Sequence, residues 1–78
     1  MTADELRAAF KRLATDVAYV TFAPTRDRRL VRVFGPVTEQ GRLTCVMIDP
    51  ITLKENSPHM SADCKTIQRL EPYEPSTP

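Results

Sequence analysis

At Val17 the hydrophobic period of this 78-residue chain changes from that of a helix to that of a strand, and no second helical stretch follows. Before that point Leu6, Phe10 and Leu13 recur at i, i+4 and i+7, with Ala9 and Ala14 widening the stripe. That spacing predicts an amphipathic helix over residues 2–15 with a single apolar face. Thr2 followed by Glu5 forms a capping box, in which hydroxyl and carboxylate satisfy the first free backbone donors. Asp4 and Glu5 sit at the positive end of the helix dipole, and Lys11 and Arg12 near its negative end.

After Val17 the residues alternate, with Val20 and Phe22 on one face and Val17, Tyr19 and Thr21 on the other. β-branched and aromatic residues dominate, which predicts a strand. Pro24 ends it, residues 25–28 form a polar turn, and residues 29–34 form a second strand. In that strand Leu30, Arg32 and Phe34 face one way and Val31 and Val33 the other. Gly35-Pro36 bends the chain or makes a bulge, and a turn follows at residues 39–41. Residues 43–49 are apolar on both faces, the mark of a strand in the interior of a sheet or barrel, and Pro50 stops them.

Residues 51–60 have no period and read as a loop or irregular hairpin. In it, Ile51 and Leu53 either stand out as anchors for a partner or fold over the open end of the domain. Short strands near residues 60–64 and 66–70 complete the sheet, with Ile67 and Leu70 in the core. Residues 1–70 make one domain, and residues 71–78 a flexible Pro-rich tail. Pro72, Pro75 and Pro78 in that tail line up on one edge of a polyproline II helix. One helix followed by four or five short strands predicts an α+β fold, a helix packed on a small antiparallel barrel, and argues against a βαβ design.

The order of features resembles the small SH3-like β-barrel proteins common in bacteriophages, which are related to WYL-type domains. The matching positions are Val20 and Phe22 in the first strand, Arg32 in the second, Asp49 after the third, and Ile67 with Leu70 near the end. Together they span roughly residues 3–72. The resemblance implies an SH3-like barrel and a phage or mobile-element origin. Those relatives carry a Trp-Arg-x-Phe run before the last strand, where this chain has His59-Met60-Ser61-Ala62, so no ligand site is carried over.

A chain this short builds a small core with little room for an internal ligand chamber. No apolar run is long enough for a spanning helix, and the acidic, amphipathic start differs from a secretory leader, so the expected location is cytoplasmic. Two cysteines, Cys45 and Cys64, fit free thiols in a reducing compartment, with one bridge open to them if their strands are neighbours. A zinc site would need both cysteines with His59 and Asp63. The thirteen and four residues between successive Cys and His positions lack the close Cys pairs that such a site uses. A Cys–His nucleophile would need an oxyanion hole, for which a chain with two glycines offers no Gly-rich loop. The sequence therefore predicts neither an enzyme nor a cofactor or metal requirement.

Net charge is +1, but residues 1–42 hold eight Lys/Arg against five Asp/Glu, and residues 43–78 hold three against five. Arg26, Arg28, Arg29 and Arg32 lie within seven residues, on and beside the predicted hairpin tip, with Tyr19 or Phe34 as a flanking aromatic. Such a cluster either stays solvated around Asp27, or meets phosphates or an acidic protein surface. The near-neutral total weighs against nucleic acid, since dedicated binders are strongly basic. The expected function is a small non-enzymatic binding module. It uses the basic hairpin and an edge strand to bind, and to inhibit or redirect, a host protein with an acidic surface, the transcription machinery being one such target. The alternatives are nucleic-acid binding by the same arginines and a self-associating structural subunit.

Overall fold

The computed structural model describes residues 1–73. Helix α1 covers Ala3–Lys11, and five strands follow: β1 Val17–Phe22, β2 Arg28–Phe34, β3 Arg42–Met47, β4 Met60–Asp63 and β5 Ile67–Pro72, with a 3-10 turn at Cys64–Thr66 before the last. The capping box forms as its spacing requires: the Thr2 N–H donates to Glu5 Oε1 at 2.9 Å and the Glu5 N–H to Thr2 Oγ1 at 3.1 Å. The helix ends earlier than its apolar stripe because its last turn tightens. The N–H groups of Arg12 and Leu13 reach back three residues, to the carbonyls of Ala9 and Phe10.

All pairings are antiparallel, in the order β4-β3-β2-β1-β5. The SH3-like barrel expected from the strand spacing is not closed. β4 and β5 are edge strands, and among the described residues they share no ladder. The sheet nevertheless curls. The 3-10 turn joining its two edges advances only about 6 Å, whereas four strand spacings in a flat sheet would separate them by about 19 Å. Side chains of α1 occupy the concave side: Leu6 is fully buried there, and the Phe10 ring lies where a Cβ on Gly35 would come within 2.3 Å of it.

The alternation read from the sequence sorts the core into two clusters. Ala18, Val20, Val31, Val33, Leu43, Cys45, Ile67 and Leu70 pack against Leu6 and Ala9 on the helix side. Val17, Leu30, Val46 and Ile48 form a smaller cluster on the convex side, flanked by Tyr19, Phe34, Leu53 and Tyr73. β3 is apolar on both faces because it contributes to both clusters and has a neighbour on each edge.

The patternless stretch after β3 is held by side-chain caps. Asp49 Oδ1 accepts from the N–H groups of Ile51 and Thr52, and the Asn56 N–H returns to the Met47 carbonyl. This turn places Leu53 against the convex cluster and leaves Ile51 90% exposed, so one expected anchor is free and the other is used in packing. β5 continues through Glu71 and Pro72, which the proline spacing had assigned to the tail. Residues 74–78, with Pro75 and Pro78, lie outside the described residues.

Candidate functional site

The β1–β2 hairpin closes tightly: the Phe22 N–H donates to the Asp27 carbonyl at 2.8 Å and the Arg26 N–H to the Phe22 carbonyl at 2.7 Å. Arg26 takes a left-handed φ of 63° at the tip. Register then decides which arginines meet. Thr21 pairs with Arg28 on one side and with Arg69 of β5 on the other, so Arg28, Thr21 and Arg69 form one row across three strands of the convex face. Arg26 joins that row, lining with Arg28, Arg69, Gln68 and Glu71 a groove at the hairpin end.

The four arginines singled out by sequence therefore do not form one patch. Arg26 and Arg28 converge. Arg29 pairs with Val20 and so shares the helix-side face, opposite to Arg28. Arg32 lies further along the convex face, where its guanidinium is 3.3 Å from Asp16 and 3.5 Å from Glu55. Two carboxylates thus engage Arg32, the least exposed of the four. Arg69, which joins the cluster, was missed. Its Ile67 and Leu70 neighbours mark a strand, but nothing in the sequence says that this strand pairs with β1.

Tyr19 supplies the expected aromatic. The Arg28 guanidinium lies 3.9 Å above the centre of its ring, and Tyr73 packs against it at 5.9 Å. Arg28 also stands 3.9 Å from Glu71, which puts a carboxylate within the basic groove. The other flanking aromatic, Phe34, packs instead against His59 with centroids 4.9 Å apart, and His59 Nε2 stands 3.6 Å from Glu55. Cys45 and Cys64 are unbridged and buried in the helix-side cluster, separated by the sheet from this His59–Phe34 pair. Burial pushes the Cys45 thiol up from its ordinary value, so it stays protonated and behaves as a small apolar side chain.

Chemically, the hairpin end offers cations on a rigid sheet, with a stacked aromatic and a carboxylate among them. No helix of the described residues is long and apolar enough to cross a membrane. Comparison with protein families, with curated proteins and with solved structures finds no match for this chain.

Proposed function

We propose that this chain is a non-catalytic binding module whose hairpin end docks on an acidic surface of a partner protein. The observation that carries the reading is the convergence around one solvent-open groove of Arg28 and Arg69, on strands whose register fixes their spacing, with Arg26 at the hairpin tip. Cations held on paired strands are already ordered, so less entropy is lost on binding than with free side chains. Glu71 in the same groove favours a protein surface of mixed charge over a polyphosphate, which that carboxylate repels. The Tyr19 ring favours the second reading, stacking of a nucleic-acid base, but Arg28 and Tyr73 already lie against it.

The SH3-like resemblance of the sequence is part of this proposal. With that resemblance the partner is a host protein that the contact blocks or redirects. Two unbridged thiols accord with a reducing, cytoplasmic setting. The test is fluorescence anisotropy with a labelled Glu-rich peptide and a labelled single-stranded oligonucleotide of equal charge. The expected result is preferential peptide binding that weakens about tenfold or more in Arg26→Ala/Arg28→Ala, since each charge-assisted contact contributes roughly 1.5–3 kcal/mol at most and less at a surface. Preferential oligonucleotide binding would replace this reading with the second one; no binding of either probe would overturn both.

A further inference from the structure

The exposed edge of β5 is self-complementary. Val17 accepts a hydrogen bond from the Tyr73 N–H, and Tyr19 and Thr21 pair with Glu71 and Arg69. By antiparallel alternation Arg69 and Glu71 turn their backbone groups toward β1 and Leu70 turns its own outward, while at Gln68 the register with β1 shifts by one residue. Pro72 also faces out and offers only a carbonyl. β4, the opposite edge, is four residues long and β5 six, with the Ile67 carbonyl at its start taken by the Met1 ammonium at 2.8 Å and the stretch from Leu70 open. Short edges are protected against pairing, and long ones are templates for it.

We infer that this edge pairs with the β5 of a second copy of the chain, antiparallel, with Leu70 on the two-fold axis. Three of the registers that keep the faces matched bring the charged residues of β5 together. Centring on Arg69 sets that arginine opposite its own copy, and centring on Glu71 sets two carboxylates together; like charges directly opposite repel. Centring on Leu70 alone places Arg69 opposite Glu71 of the second copy, twice by symmetry. In that register Leu70 exchanges two hydrogen bonds with its copy.

Helix α1 repeats the pattern on the concave side. Glu5, Ala8 and Arg12 line a groove against Arg69, Leu70 and Glu71. An axis near Ala8 sets Glu5 against Arg12 of the second copy, and the small alanines at the centre let the helices approach. Both elements thus carry opposite charges on either side of an uncharged centre. Among the described residues neither Arg12 nor Arg69 has an ion-pair partner within the chain. Pairing draws Glu71 toward Arg69 of the second copy and away from Arg28, leaving Arg26 and Arg28 as the free cations at each end of the joined sheet. This self-pairing does not depend on the acidic-partner reading.

Sedimentation equilibrium on the full chain tests it without any partner. The expected result is a reversible dimer of the 8.8 kDa chain. Arg69→Glu weakens it about tenfold or more, because both symmetric pairs turn repulsive, and the charge swap Arg69→Glu/Glu71→Arg restores it. Circular dichroism reports the retained fold of both variants. Arg26→Ala/Arg28→Ala leaves association unchanged, which separates this result from loss of peptide binding. A monomer across the micromolar to millimolar range would overturn the inference. So would a dimer indifferent to Arg69→Glu, or one that the swap does not restore.

Discussion

Gly41→Ala is the substitution that most directly probes how the helix seats in the curled sheet. Gly41 has φ of 78°, a left-handed conformation that costs an L-residue about 1–2 kcal/mol. A Cβ there would stand 2.8 Å from the Ala3 Cβ and 2.9 Å from Cys64 Sγ, with the Ala3 Cα at 3.3 Å. The Ala3 Cβ is bonded directly to backbone at the start of α1, and Cys64 Sγ is one bond further out at the start of the 3-10 turn, so relief at Ala3 requires moving the helix. Overpacking of that kind costs about 1–3 kcal/mol. The expected loss is therefore about 2–5 kcal/mol, a large share of the roughly 4–12 kcal/mol that a domain of this size holds. Urea denaturation followed by circular dichroism measures it as a lower midpoint at unchanged slope. A double-mutant cycle with Ala3→Gly isolates the collision: Gly41→Ala should cost less in the Ala3→Gly background. A loss below about 0.5 kcal/mol, or costs that simply add, would refute the contact between the helix start and the β3–β4 corner.

Leu43→Ala, at a fully buried position of β3, should cost about 2–5 kcal/mol, whereas Ile51→Ser, at 90% exposure, should stay within about 0.5 kcal/mol; chemical denaturation compares the two. Acid should weaken the fold through its turn carboxylates. The Lys65 N–H holds the Asp63 carboxyl below its usual value, the Thr52 and Ile51 N–H groups do the same for Asp49, and the Thr2 backbone and hydroxyl for Glu5. A carboxyl lowered on folding stabilises above its unfolded value of about 4 and loses that contribution as pH falls through the lower folded value. Thermal melts should therefore drop below about pH 4, and Asp63→Asn should drop less than the parent chain. An equal drop in both would remove Asp63 from the account.

Much of the fold follows from local pattern. The Thr2–Glu5 box fixes the helix start, and the alternation around Val20 and Val31 assigns each strand's two faces. The unbroken apolar run from Leu43 marks an interior strand before any pairing is known. Closure of the sheet was not legible, because it depends on how much of the concave side the helix fills, a matter of Phe10 against Gly35 and Leu6 in the interior. The cation cluster was legible in part. Period two already separates Arg29 from Arg28, once both are known to lie in the strand. Arg32 is tied up by Asp16 and Glu55, which come from two other segments, and Arg69 arrives by way of β1–β5 pairing. Those partners are set by tertiary register, which spacing along the chain does not encode.

The claim that this molecule acts through the hairpin end of its sheet is tested most directly by backbone amide shifts during titration with a Glu-rich peptide. The account predicts saturable changes concentrated at Thr21, Arg26, Arg28, Gln68 and Arg69. Changes centred on the Phe34–His59 side or on the outer face of α1, with the hairpin end unmoved, would contradict it.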